Sequence, residues 1–257
     1  MNQTALITGA SGGIGADLAS LAAQDGCNLV LVARSQDKLE QLAGELQQKH
    51  GIRALPFACD LANPESPRQV FDFCQKEHLS IDMLINNAGF GAYGAFTELP
   101  WETQRDEMQV NMCTLVALTW LFLPGMLERA AGKILNVASV AAFLPGPFFN
   151  IYYATKAFVL SFSEALSEET RGSGVTVTCL CPGPTKTDFF HRAKTTEFNS
   201  IFMPMHSSDQ VARTGYAAML RGRPLVVPGS ANKLSTGLMR FVPRSLLRRI
   251  SARINRI

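Results

Sequence analysis

Tyr152 and Lys156 stand four residues apart in a stretch, 150–171, whose apolar spacing predicts a helix. That spacing stacks the two side chains on one face, a turn apart. A phenol with a pKa near 10 is a poor base at neutral pH, and a nearby ammonium favours the phenolate and turns it toward general acid/base work. Ser139 ends a buried strand pattern at 133–138. That is the carboxyl edge where open α/β sheets bind ligands, and a hydroxyl there suits a carbonyl oxygen. Tyr-x-x-x-Lys alone is common as a plain surface pair. Tyr153 is adjacent but lacks the spacing to Lys156, so it reads as packing or a pocket wall.

A second chemical feature lies at the other end of the chain. Thr8-Gly9-Ala10-Ser11-Gly12-Gly13-Ile14-Gly15 joins an apolar run, Ala5–Ile7, to a helical pattern at 14–25. Glycines let a backbone turn sharply and approach a pyrophosphate, and the free N–H groups of a helix start attract the anion. A glycine cluster by itself is weak, but strand–turn–helix placement makes this one a dinucleotide site. The next strand pattern ends at Val32-Ala33-Arg34-Ser35, where an acidic residue would grip an NAD ribose. Arg34 stands there instead, and its planar fork suits a 2′-phosphate, so NADP(H) is the expected cofactor. A solvated strand-end arginine and an NAD-using enzyme are the competing readings.

These features need a scaffold, and the rest of the chain supplies one. Of 257 residues 47% are hydrophobic and 18% charged, which excludes disorder and suffices for a core without disulfide or metal staples. Short apolar runs at 5–7, 28–32, 54–58, 83–86, 133–138, 175–179 and 225–227 alternate with helical patterns at 36–49, 64–77, 101–127, 150–171 and 209–220. Strands apolar on both faces, each followed by a helix, predict an α/β fold: a doubly wound parallel sheet of Rossmann type in a single domain. That domain is expected over 1–230, with a tail at 231–257. The six cysteines lack metal spacing and mostly lie in apolar runs, as buried thiols of a reducing compartment do. No signal peptide is legible, and the longest apolar stretch, 115–127, is short for a membrane crossing, so a cytoplasmic protein is expected.

Taken together, Thr8-Gly9-x-x-x-Gly13-x-Gly15, Asp60-Leu61, Asn86-Asn87-Ala88-Gly89, Asn111, Ser139, Tyr152-x-x-x-Lys156 and Pro182-Gly183 resemble the short-chain dehydrogenase/reductase family over residues 4–230. The order of the motifs carries the specificity. The resemblance implies hydride transfer between a nicotinamide and a carbonyl or secondary alcohol. Tyr152 would then exchange the proton, Lys156 hold the nicotinamide ribose and lower the phenol pKa, Ser139 orient the substrate oxygen and Asn111 hold a relay water. It also implies cofactor contacts from Gly9, Ser11, Gly12, Gly13, Ile14, Gly15, Arg34 and Ser35 at the phosphate and ribose end. Asp60 and Leu61 would meet the adenine, Asn87, Ala88 and Gly89 the adenosine side, and Pro182, Gly183, Thr185 and Thr187 the nicotinamide pocket. Such enzymes are homodimers or homotetramers. Outside the set, Asn86, Asn87 and Asn111 also read as ordinary turn and helix polar residues.

The substrate side is less specific. Phe143–Phe149 and a lid over 184–208, rich in Phe189, Phe190, Phe198, Ile201, Phe202, Met203 and Met205, suit a hydrophobic carbonyl or alcohol, or are simply core. His191, Arg192 and Lys194 would suit an acidic group. The net charge of +3 hides an asymmetry: residues 210–257 hold ten Lys/Arg and no Asp/Glu. In 244–257, Leu246, Leu247, Ile250, Ile254 and Ile257 recur at helical spacing among Arg248, Arg249, Arg253 and Arg256. That basic amphipathic helix docks on protein, contacts an anionic membrane surface or meets nucleic acid, the last disfavoured for want of stacking aromatics. A cofactor-binding regulatory module with vestigial activity is the alternative function; the intact Ser139/Tyr152/Lys156 set argues against it.

Overall fold

In the computed structural model, which describes residues 3–189, 193 and 205–255, seven parallel strands form one sheet in the order β3-β2-β1-β4-β5-β6-β9. The strands are β1 (Thr4–Thr8), β2 (Asn28–Ala33), β3 (Ala54–Ala58), β4 (Met83–Asn86), β5 (Gly132–Val137), β6 (Val175–Leu180) and, at the edge, β9 (Leu225–Val226). The chain runs outward from β1 to β3, then returns to place β4 on the other side of β1. The crevice this reversal opens at the carboxyl ends of β1 and β4 is where such sheets take ligands.

Alternation along each strand splits the core into two layers. Ile7, Leu29, Leu31 and Ile85 face α1 (Gly13–Gln24), α2 (Gln36–His50) and α7 (Ser208–Leu220), meeting Leu18, Leu39, Leu46, Val211 and Met219. Leu6, Val30, Leu84, Ile134 and Val177 face the other way, against Val70 of α3 (Ser66–Lys76), Leu118, Phe122 and Met126 of α5 (Leu115–Glu128) and Leu166 of α6 (Asn150–Glu169). The doubly wound reading of the sequence holds, strand by strand.

Three local features depart from it. The helix expected over 101–127 is α4 (Trp101–Met108), a π-helical turn (Gln109–Thr114) and α5 in one continuous run. With 28 residues the run is long and apolar enough to cross a membrane by length and composition, contrary to the expectation from 115–127 alone. Its buried Leu118, Phe122 and Met126 belong instead to the core. A short pair, β7 (Thr185–Lys186) with β8 (His206–Ser207), closes the base of the segment expected to be a lid. Beyond β9 the chain forms α8 (Ser230–Met239) and α9 (Arg244–Asn255). The face that α9 buries is Leu247, Ser251 and Asn255: of the apolar stripe Leu247 turns inward, while Leu246 and Ile250 are exposed. Hydrogen bonds made by Asn255, described below, set that orientation. All six cysteines are free; five are buried and Cys113 is exposed. Phe190, His191, Arg192, Lys194, Phe198, Ile201, Phe202, Met203, Arg256 and Ile257 lie outside the described residues.

Candidate active site

At the end of β1 the backbone reverses through Gly9, at φ +67°, and enters α1 through Gly13, at φ +55°. Both are left-handed conformations that glycine adopts without strain. Gly15 has no room for a side chain: a Cβ there would collide with the Gly9 carbonyl. At Gly12 the space a Cβ would enter is open, so the backbone faces a free approach. Thr8 and Asn87 hold the turn in place. Thr8 Oγ1 accepts from the backbone N–H groups of Asn87 and Ala88, each at 3.0 Å, and Asn87 Nδ2 donates to the carbonyls of Thr8 at 2.9 Å and Gly9 at 3.2 Å. The Asn87 amide nitrogen is thus a strut between β4 and the turn. Ser11 and Ile14 flank the same bend, half-buried, and the Thr187 methyl would lie 3.0 Å from a Cβ on Gly13.

Around this crevice the strand ends supply a polar rim. Arg34 and Ser35 are exposed where β2 meets α2, with no acidic residue between them and β2. Asp60, exposed after β3, accepts from the Ala62 N–H at 3.1 Å, while Leu61 is buried with its carbonyl accepting from Thr114 Oγ1 at 2.9 Å. Past β6, the Pro182 carbonyl accepts from the Val140 N–H at 2.9 Å, and Thr185 Oγ1 donates to the Gly183 carbonyl at 2.9 Å. An approachable glycine turn at a helix start, with a cation at the end of β2, fits a phosphorylated dinucleotide.

Lys156 and Tyr152 project from the first half of α6, as their spacing requires. Lys156 is 4% exposed, donates to the Val137 carbonyl at 2.8 Å and keeps its Nζ 5.7 Å from the centre of the Tyr152 ring. Burial lowers its pKa to about 8. Tyr152 moves the other way: loss of solvent raises the phenol pKa well above its usual value, and the Ser139 hydroxyl only partly opposes this. Ser139 sits after β5, where its Oγ accepts from the Ala141 N–H at 3.1 Å and donates to the Pro182 carbonyl at 3.4 Å. Asn111 lies in the π turn, where an extra residue per turn is often found at functional sites. It donates to the Phe90 carbonyl at 2.9 Å and to Thr155 Oγ1 at 3.1 Å, and accepts from the Phe90 N–H at 3.1 Å. Gly89 lies between them: a Cβ there would be 3.0 Å from Asn111 Oδ1 and 3.2 Å from Lys156 Nζ. Asn111, Lys156, Gly89, Tyr152 and Ser139 therefore converge beside the glycine turn.

Two participants, Glu107 and Asn255, were not singled out in the sequence. Glu107, one turn before Asn111, is 1% exposed, and neither carboxylate oxygen has a side-chain partner. Burial pushes its pKa up to about 8; the Ala92 backbone and Lys156 act against that rise. Its four-residue offset from Asn111 was the available signal. Asn86 faces the core instead of the crevice, donating to Thr119 Oγ1 at 3.2 Å and to Asn136 Oδ1 at 2.9 Å; Asn136 continues to Ser163 Oγ at 3.0 Å. That buried chain ties β4 and β5 to α5 and α6. On the substrate side Phe149, Tyr153 and Phe189 surround Tyr152, with ring centres 6.0, 6.1 and 5.1 Å away. Asn255 of α9 clamps this wall. It donates to the Pro147 carbonyl at 2.9 Å, and accepts from the Tyr93 hydroxyl at its carbonyl, 2.9 Å, and from the Tyr153 hydroxyl at Oδ1, 3.3 Å. A cleft of about 460 Å³ at the opposite, amino edge of β6, among Glu168, Arg171 and Thr176, is remote from this chemistry.

The sheet order, the glycine turn at its switch point and the Tyr/Lys pair define a class: a doubly wound dinucleotide-fold protein with a buried phenol and lysine at the carboxyl edge. The chain belongs to the short chain dehydrogenase family, whose model matches residues 3–197. The very-long-chain 3-oxoacyl-CoA reductase of Bos taurus is 35% identical over 190 residues, 71% of this chain and 59% of that protein. The chain thus spans little more than half the length of that reductase. Among solved structures, a short-chain dehydrogenase from Sphingobium yanoikuyae in complex with NADPH is 31% identical with a TM-score of 0.83, over 94% of this chain and 96% of that one. The bulky-bulky ketone specific alcohol dehydrogenase of Comamonas testosteroni is 28% identical with a TM-score of 0.78, over 95% and 96%.

Proposed function

We propose that this protein is an NADP(H)-dependent oxidoreductase that passes hydride between the nicotinamide and a carbonyl or secondary alcohol on a bulky, apolar substrate. The observation that carries the reading is the convergence of Ser139, Tyr152, Lys156 and Asn111 beside the glycine turn. NADPH, when bound, supplies the hydride; the protein orients the partners and manages the proton.

Tyr152 is the proton donor and acceptor. Its buried phenol keeps its proton throughout the neutral range, which suits donation to a carbonyl oxygen as hydride arrives. Ser139 Oγ holds that oxygen. Lys156, whose ammonium has donors to spare beyond the one given to the Val137 carbonyl, binds the ribose and returns a proton to the phenol. Asn111 has its side chain engaged with Phe90 and Thr155, so its backbone is the holder of the relay water. Arg34 and Ser35 would hold the 2′-phosphate, Asp60 would meet the adenine, and the Gly9–Gly15 turn would receive the pyrophosphate. The aromatic wall of Tyr93, Phe149, Tyr153 and Phe189 favours apolar substrate flanks. The relatives that act on long-chain 3-oxoacyl thioesters and on bulky ketones support that class.

The test is a panel of long-chain 3-oxoacyl thioesters, bulky aryl and steroid-like ketones, and small sugars, followed at the nicotinamide absorbance with NADPH and with NADH. Turnover is expected with NADPH on the bulky apolar carbonyls. Absence of turnover across the panel, or a preference for NADH, contradicts the reading.

A further inference from the structure

The outer faces of the two C-terminal helices carry a surface that hydride transfer does not use. Leu234, Leu238 and Phe241 recur at i, i+4 and i+7 and are 65%, 55% and 84% exposed. Leu234 and Leu238 stand on the side of α8 opposite its buried Asn232 and Thr236, and Phe241 follows in the turn that ends the helix, so the inward stripe is polar and the outer one apolar and bare. Leu246 and Ile250 of α9 repeat the pattern at 48% and 43% exposure. Lys233, Arg240, Arg244, Arg248 and Arg249 alternate with these side chains along 233–250, all exposed and none in a salt bridge among the described residues. No acidic residue follows Asp209.

From this arrangement we infer that α8 and α9 form a docking face for an anionic phospholipid bilayer, with Leu234, Leu238 and Phe241 entering the interface and the basic rim resting on the headgroups. Two physical points select that occupant. A second copy of the chain, paired on this face about a two-fold axis, would set five exposed cations against the same five with no acidic residue of the segment between them, at a cost in repulsion. An anionic lipid surface accepts the apolar crest and neutralises the rim together, as basic amphipathic helices at membranes do. The inner side of α9 is already committed to the protein through Asn255, which leaves only the outer side to dock. This inference stands whether or not the oxidoreductase reading does.

Sedimentation with extruded vesicles of phosphatidylglycerol/phosphatidylcholine, or of phosphatidylcholine alone, tests it on the full chain. The wild type is expected to pellet with the anionic vesicles, to release at high salt and to stay in solution with the neutral ones. Replacing Leu234, Leu238 and Phe241 together by Ser removes exposed side chains only, so the fold is kept, which Tm checks. The expected loss of partitioning is about tenfold or more. Arg248→Gln with Arg249→Gln is expected to lose roughly thirtyfold, at about 1 kcal/mol per charge. Equal binding to neutral vesicles, no binding to either, or binding unchanged in the Ser variant overturns the inference. So does a wild type that ignores vesicles but dissociates into smaller units when the three Ser substitutions are made; a second copy then covers the face.

Discussion

A buried ammonium and a buried carboxyl sit behind the phenol, and their titration gives the site a stability signature. Glu107 is raised from 4.5 to about 8, so between those values the folded chain keeps a proton that the unfolded chain has released, and stability falls as pH rises. Lys156 is lowered from 10.5 to about 8, so between 8 and 10.5 the folded chain lacks a proton that the unfolded chain holds, and stability recovers. A minimum near pH 8 is expected in urea unfolding. Glu107→Gln is expected to abolish the falling limb, gaining up to about 4 kcal/mol at pH 8 relative to pH 4; an unchanged limb would show that another group titrates. At the cofactor end, Arg34→Ala is expected to weaken NADPH binding by about ten- to a hundredfold, the worth of a charge-assisted contact, with NADH little affected. Parallel titrations of the two nucleotides measure it. The sequence made Tyr152, Lys156, Ser139 and Arg34 legible because spacing and strand ends locate them. It hid the direction of the Tyr152 shift: an ammonium four residues away favours the phenolate, and only the depth of burial shows that desolvation wins.

At the scale of elements, the substrate wall depends on a helix from the far end of the chain. Asn255→Ala removes the bonds to Tyr153 and Pro147 while the Tyr93 bond to the Asn255 backbone persists. A stability loss of about 1–3 kcal/mol is expected, read by urea unfolding, together with a rise in KM larger than any fall in kcat. An equal fall in both kcat and kcat/KM would instead implicate Tyr152 itself. This clamp was not legible, since the Leu/Ile spacing of 244–257 marks an apolar stripe and says nothing of the polar positions 251 and 255. A polar residue on the buried face declares itself only when its partners, here from 93, 147 and 153, are brought alongside. The π turn at 109–114 was likewise hidden, because the apolar pattern through it continues as in an ordinary helix. Strands and crossover helices were readable to within a residue or two, because burial on both sheet faces leaves unbroken apolar runs.

For the whole molecule, the parallel sheet brings every strand's carboxyl end to one edge, so residues from 8 to 187 share a single crevice. Exposed Trp101, Trp120 and Phe158 lie on α4, α5 and α6, away from that crevice. We propose that they form the contact of a homodimer or homotetramer. Trp120→Glu, at a side chain 73% exposed, is expected to reduce the assembly by light scattering without lowering Tm of the subunit. An unchanged mass would place the contact elsewhere. Basic residues gathered after Asp209 leave net negative charge on the remainder. That polarity was visible in composition, while the outward turn of Leu234, Leu238 and Phe241 required the fold.

The most direct measurement is single-turnover NADPH oxidation by Tyr152→Phe on whichever apolar carbonyl the wild type reduces, with NADPH affinity determined on the same sample. A phenylalanine preserves the ring packing against Phe149 and Phe189 and removes only the exchangeable proton. The expected result is a rate lower by about 10²–10⁴ with NADPH binding within a factor of about two of wild type. Hydride transfer at an undiminished rate in that variant would contradict the assignment of the proton to this hydroxyl.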